Sequence, residues 1–383
     1  MTVISCFGGL RRRLAIAGTA AAAAALTATL APAGAALAAA QPAPLPVASQ
    51  AAEPRHTADV MTRNLYLGAS LDNIIDALTE NPSNIVSAAT TTWAEVQASD
   101  PEQRMAAVAD EIAAGRPAVV GLQEVTKWST YAAYNPLTQQ PVGDPTVEYD
   151  FLDLLLKALA ERGVVYHEVS GATSDNFTSP PIPVVADGTL KAVMLADRDV
   201  ILRRDDVDAS NGHSGNFEHI LQLGALPVAR GWGSADVQTR STTFRFVNAH
   251  TEAWGSEDIR IDQVDELFAA QAAITQEDGE LPTVYVGDYN SAAPSGGAYQ
   301  ELTSQLGDAW AKTNRKASGF SCCQAPLLNN TTSDLDQRID LVLTTKDVTA
   351  TRSYLTGTSP VDLPGDTWWA SDHAGVVARL VIH

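Results

Sequence analysis

Short apolar, β-branched runs recur along residues 55–383, and most of them lead straight into a small polar motif. Runs of this kind at 118–122, 243–247, 283–286 and 339–343 have the length and composition of buried strands. Between them lie helical patterns at 101–114, 151–162 and 259–275, the first with Ser99 or Asp100 as its cap and Pro101 in its opening turn. Strands and helices that alternate in this way predict an α/β domain, with the strands enclosed by helices. No Gly/Ser linker and no internal repeat divides 55–383, which reads as one large domain.

Six motifs follow one another in this frame: Thr62-Arg63-Asn64, Gln123-Glu124, Asn248-Ala249-His250, Gly287-Asp288-Tyr289-Asn290, Arg338-Ile339-Asp340 and Ser371-Asp372-His373. Any one of them reads equally well as a turn, a cap or a surface charge. Together they supply what hydrolysis of a phosphoester needs: neutralised phosphate charge, an aligned water and a proton for the leaving oxygen. Glu124 offers the hard oxygen that Mg²⁺ prefers, and Asn64 an amide oxygen or a hold on a metal-bound water. Asp288 is expected to orient water and Asn290 to hold a phosphate oxygen. His373 is expected as general base or as partner of the phosphate charge, its tautomer fixed by Asp340, with His250 binding the phosphate from the opposite side. Ser371 is not expected to be a nucleophile, because a Ser, Asp and His in one tripeptide cannot form a triad.

This ordered set resembles the endonuclease/exonuclease/phosphatase superfamily, and the match runs from Asn64 to His373. The resemblance implies a four-layer α/β/β/α sandwich of two mixed β-sheets flanked by helices, with a Mg²⁺-dependent site (Mn²⁺ also suits it) at one end of the sheets. It implies Glu124 as main metal ligand with Asn64 beside it, and Asp372 supporting the site or a second metal. Asp288 and Asn290 would then act on the water and the phosphate, and Asp340 would orient His373. Ala249 stands where the superfamily has threonine, and Tyr289 where phenylalanine or leucine is common.

The stretch from His250 to Asp258, with Arg260 and Gln263 beyond, is similar in part to secreted neutral sphingomyelinases and related phospholipases C. That similarity implies a small phosphodiester or phospholipid headgroup as substrate, with transient contact to a membrane surface, and no protein partner is evident. Trp128, Trp254 and Trp369 lie near three of the motifs, where a ring can face a choline or ethanolamine ammonium. The segments 69–102 and 127–149 look like insertions that carry specificity. A deoxyribonuclease is the main alternative. It needs cations along a groove, for which Arg63, Lys127, Arg315 and Arg338 are the candidates, and they form no basic run. A non-catalytic binding protein on the same fold is the other.

Residues 1–40 read as an export signal, with Arg11, Arg12 and Arg13 before an uncharged Ala-rich run and small-residue cleavage sites at 36–40. A membrane anchor is the alternative. Residues 41–54 read as a disordered leader, so the protein is expected to be secreted and extracellular. Losing the signal removes three arginines and no acid, which takes the formal charge from −20 to −23 and disfavours polyanions at long range. Cys322 and Cys323 then remain alone, either as a vicinal disulfide or as two thiols.

Overall fold

The computed structural model describes residues 56–223, 226–361, 363 and 367–383, so the export signal and leader expected over 1–54 lie outside the described residues. The four expected strands all form, as Val119–Gln123, Thr243–His250, Thr283–Asp288 and Asp340–Thr344, and every residue but Thr243 is buried. The expected helices form as well. In chain order the helices that matter here are α1 (Asp72–Thr79), α2 (Ile85–Ala98), α3 (Pro101–Gly115), α4 (Phe151–Glu161) and α5 (Glu257–Asp278). Asp100 caps α3, its side chain accepting from the Gln103 N–H at 3.2 Å, whereas Ser99 closes α2.

Two mixed sheets carry the fold. The larger is ordered Val348–Thr356, Gly375–Ile382, Thr57–Asn64, Val119–Gln123, Thr189–Arg204, Lys127–Tyr131 and Thr146–Asp150, with further short strands on Thr189–Arg204. The smaller is ordered Asp208–Asn216, Gly231–Gln238, Thr243–His250, Thr283–Asp288, Asp340–Thr344 and Gly307–Asp308. Val60, Val119 and Ile201 of the larger sheet pack against Phe244, Phe246, Val284 and Val286 of the smaller in a single buried cluster. Full burial of each such side chain contributes about 1.5–3 kcal/mol. The outer face of the larger sheet packs on α2, α3 and α4 through Trp93, Met105, Ile112, Phe151 and Leu155. The outer face of the smaller packs on α5 through Val264 and Leu267. The result is the expected α/β/β/α sandwich.

The sheets approach closely at one place. A Cβ on Gly121 would stand 2.5 Å from Asn248 Oδ1 and 2.6 Å from a Val286 methyl, so only glycine fits. Asn248 uses the gap to tie the sheets together: its Oδ1 accepts from Gln123 Nε2 at 2.6 Å and its Nδ2 donates to the Leu122 carbonyl at 3.0 Å. The two segments read as insertions fold as ordered elements. Residues 69–102 include α1 and α2, while Lys127–Tyr131 and Thr146–Asp150 add two strands at the far edge of the larger sheet and Ala133–Asn135 pairs with Gln140–Val142 in a small sheet of its own. No helix among the described residues is long and apolar enough to cross a membrane.

Candidate active site

The six motifs meet at one end of the two sheets. Asn64 ends one strand of the larger sheet and Glu124 directly follows its parallel neighbour. His250 and Asp288 end two parallel strands of the smaller sheet and lie opposite each other in register. Asp340 opens its strand and His373 precedes its own, so neither stands at a strand's far end. They arrive at the same end because those strands run antiparallel to their neighbours, Asp340 pairing with Asp288.

One amide joins the two sheets at the centre. Asn64 Nδ2 donates to Glu124 Oε1 at 3.2 Å and to Asp288 Oδ2 at 3.0 Å, while its Oδ1 accepts from the Tyr66 N–H at 2.9 Å. Asn64 is thus a bridge between two carboxylates, and its oxygen is already engaged by the backbone. Glu124 Oε2 accepts from the Leu67 N–H at 2.8 Å. Asp288 Oδ1 accepts from the Asn290 N–H at 3.0 Å, and Asn290 Nδ2 donates to the Thr251 carbonyl at 3.0 Å. Glu124 and Asn290 both take positive φ values of 55° and 47°, a costly conformation for residues other than glycine that is found where function demands it.

His373 Nδ1 lies 2.9 Å from Asp340 Oδ2, and its Nε2 lies 3.7 Å from Asp288 Oδ2 and 3.9 Å from Asp372 Oδ1. Burial works to lower its pKa, yet Asp340, Asp372 and Asp288 together hold it well above the ordinary histidine range. Asp288 responds in kind: burial would raise its pKa, but His373 and His250 lower it overall. His250 is 1% exposed, with Nδ1 3.5 Å from Asp199 Oδ1 and Nε2 3.9 Å from Asp288 Oδ2. Ser371 is structural, as expected, donating to the Asn64 carbonyl at 2.8 Å and accepting from the His373 N–H at 3.1 Å.

Asp372 is the most strongly perturbed carboxyl of the site. Its pKa is pushed up to about 7, by burial first and then by Glu124 and Asp288, against the opposing pull of His373 and Arg104. Carboxylates crowded to this degree, all hard oxygen donors, fit a divalent cation such as Mg²⁺ or Mn²⁺. Glu124 and Asp372 are the carboxylates that would hold such an ion. Asp288, Asp340 and His373 form a second compact group, their ligand atoms within 4.8 Å of one another.

With this geometry in view, the comparisons with known proteins decide the family. The sequence model described as Endonuclease/Exonuclease/phosphatase family matches residues 93–373. The chain belongs to this family. Members of the endonuclease/exonuclease/phosphatase family are hydrolases of phosphoesters and generally use divalent metals. Among solved structures, a family protein from Bacteroides thetaiotaomicron is 18% identical with a TM-score of 0.51 over 85% of this chain and 98% of that one, a likeness of fold. A mannosyl-6-phosphatase from the same organism is 17% identical, with a TM-score of 0.49 over 85% of this chain and 100% of that one. The human Nocturnin catalytic domain with bound sulfate is also 17% identical, with a TM-score of 0.47 over 86% and 94%. Among curated proteins, none matches in sequence.

The three tryptophans expected at the substrate fare differently. Trp369 is 1% exposed, donates from its indole N–H to the Asn330 carbonyl at 2.7 Å and packs on Tyr66 and Leu328, so it is a core residue and no substrate contact. Trp254 has Arg230 across its ring at 5.6 Å, so that face is already taken by a cation. Trp128 is nearly buried, its indole N–H donating to the Leu67 carbonyl at 2.9 Å.

Sequence reasoning missed two sets of residues. Arg104 of α3 is fully buried and donates to the Tyr66 carbonyl at 2.9 Å, the Ala370 carbonyl at 2.9 Å and the Leu65 carbonyl, pinning the segments that carry Asn64 and Asp372. Asp197, Asp199, Arg230 and Glu252 form a buried charged cluster behind His250, with Arg230 3.8 Å from Asp197 and 3.9 Å from Glu252. The alternation Asp197-Arg198-Asp199 inside an apolar strand was the available signal, since residues two apart share a face. The two vicinal cysteines lie sulfur to sulfur, as the disulfide alternative expects, and Cys322 bridges through its backbone to both Gln337 and His373.

Proposed function

We propose that the protein is a secreted, divalent-metal-dependent phosphodiesterase that cleaves choline or ethanolamine phosphodiesters and releases the headgroup with its phosphate attached. One observation carries the catalytic part: a single amide nitrogen, on Asn64, lies within hydrogen-bond reach of both Glu124 and Asp288, so metal and phosphoryl group can touch both sheets at once. When bound, the cation supplies Lewis-acid polarisation of the phosphoryl oxygens. Asp288, fixed by Asn290 and Asn64, orients the attacking water. Asp340 holds the Nδ1 side of His373, which leaves Nε2 free to exchange a proton or face phosphate charge on the Asp288 side. His250 stands on the other flank of Asp288.

The internal pairing of cations favours a small substrate over DNA. Arg63 is buried against Glu111 at 2.8 Å, Lys127 is 3.0 Å from Asp150 and Arg338 is 2.7 Å from Asp308. Three of the four cations that a DNA groove would need are therefore already spent on internal partners. The test is a side-by-side assay of a phosphocholine diester, a glycerophosphodiester, phospholipid vesicles and plasmid DNA under one Mg²⁺ and salt condition, on protein recovered from the culture medium. Headgroup phosphate release with little nicking is expected. Efficient nicking without headgroup release transfers the site to a deoxyribonuclease, and retention of the protein in the cells removes the secreted part.

A further inference from the structure

Beside the reacting centre lies a cavity of about 250 Å³ with a hydrocarbon wall. Ile74, Ile75 and Leu78 of α1, Ala89 of α2 and Val193 and Leu195 of the long strand Thr189–Arg204 all face it. Most of the wall on the helix side comes from residues before Trp93, where the family match begins.

At one end the lining of the cavity reaches the neighbours of the catalytic groups. Leu67 lines it and donates its backbone N–H to Glu124 Oε2 at 2.8 Å. Asp197 lines it too and shares a strand face with Asp199, which stands 3.5 Å from His250 Nδ1. Arg230 and Trp254 close the same end. Asp197 Oδ1 and Arg230 Nε are buried without a hydrogen-bond partner, on side chains only 5% and 7% exposed. The cavity is therefore polar where it meets the phosphoryl site and apolar elsewhere. Water gains too few partners on such a wall to occupy it well, whereas a hydrocarbon chain gains from every methylene it buries.

We propose that this cavity receives a hydrocarbon chain of a phosphoester amphiphile whose phosphate sits between Glu124, Asp288 and His373. The inference deepens the phosphodiesterase reading and rests on it for the position of the phosphate. The wall is apolar along its length, so a chain that enters from the polar end buries its methylenes one after another. In the reaction, the water oxygen forms the new P–O bond and the P–O bond to the chain alcohol breaks. The alcohol oxygen takes up the proton that water gives up, so headgroup phosphate and long-chain alcohol are the products and no oxidant is needed.

Binding and turnover test the two readings separately. Binding is measured by titration calorimetry on the His373→Ala protein with Mg²⁺, using alkylphosphocholines of four, six, eight and ten carbons below their micelle concentrations. Affinity is expected to rise about two- to fourfold per methylene along the series. Ile75→Asn, with Leu78→Asn as a second variant should the first misfold, is expected to shrink the ratio of ten-carbon to four-carbon affinity at least tenfold. A flat series overturns the proposal, and so does a dimer that Ile75→Asn dissociates, which would give the wall to a second copy of the chain. Turnover of the same series by the unmodified protein is the separate arm. A chain-length gradient in binding without hydrolysis of any member rejects the phosphodiesterase reading and leaves the cavity standing, whereas hydrolysis at equal rates for all lengths does the reverse.

Discussion

The reacting centre and the cavity beside it are built by opposite means. The centre gathers polar residues from six separated segments, each at the end or the start of a strand, and cross-links them until almost every group has a partner. The cavity draws on two neighbouring helices, one long strand and the segments 177–183 and 226–230, and apart from its polar end its side chains share only their lack of polarity. Position dominates in the first, since replacing one amide or carboxylate there removes a bond nothing else can make. Aggregate area dominates in the second, where each residue adds a modest increment. Substitutions in the centre are therefore expected to act on turnover in large steps, and substitutions in the wall to act on chain-length preference in small ones.

The largest effect belongs to the cation. Chelation is expected to abolish phosphodiester hydrolysis, and Mg²⁺ or Mn²⁺ to restore it, because Glu124 and Asp372 present only hard oxygens to a crowded acidic site. Full turnover by a chelated, metal-free preparation would falsify the assignment of the site. Next come the groups that act on the phosphoryl centre. His373→Ala and Asp288→Asn are each expected to lower kcat by at least about a hundredfold with the fold intact. Asp340→Asn, which acts through the 2.9 Å contact to His373 Nδ1, should cost as much or less. A His373→Ala protein with near-normal kcat contradicts the role given to it.

The same contrast explains how far the sequence could be read. The strands that carry Glu124, His250 and Asp288 announce themselves because they are buried on both sides, so their apolar runs are unbroken and their polar ends stand out. Asp340 and His373 were found by residue type, although their place at or before the start of a strand follows only from antiparallel pairing. The cavity wall was beyond reach, because Ile75 and Leu78 look like any core-facing helix positions until the fold shows an empty space in front of them. Trp369 was misjudged for the converse reason: nearness to Ser371 in sequence says nothing about which way a ring turns. The buried charges Asp197 and Asp199 were passed over amid apolar neighbours.

The seam between the sheets offers a third break, smaller than loss of a catalytic group. Gly121→Ala places a methyl 2.5 Å from Asn248 Oδ1 and 2.6 Å from Val286, on the path that links Gln123 to Asn248. Overpacking of this kind costs about 1–3 kcal/mol, and at roughly 2–4 °C per kcal/mol for a domain of this size the Tm should fall by several degrees. Thermal unfolding of the two proteins at one pH measures it, and an unchanged Tm would show that the sheets can part there at no cost.

The smallest effect lies where the two regions touch. Asp197 is fully enclosed between centre and cavity, and its pKa is pushed up to about 7, by burial first and by Asp199 next, with Arg230 and His250 pulling the other way. A carboxyl whose pKa is higher in the folded chain than in the unfolded one binds its proton more tightly when folded. Its contribution to stability is therefore fully present below the ordinary carboxylate range and is lost as pH rises towards about 7. Asp197→Asn keeps the shape and removes the titration, leaving Arg230 with Glu252 at 3.9 Å. Unfolding midpoints taken from pH 4 to 8 should show a shallower decline with pH for the variant than for the unmodified protein, and a higher Tm for the variant at pH 8. A lower Tm at pH 8 would mean that attraction between Asp197 and Arg230 outweighs burial and the Asp199 charge, and the polar end of the cavity would then be a tight ion pair with nothing left to offer a substrate.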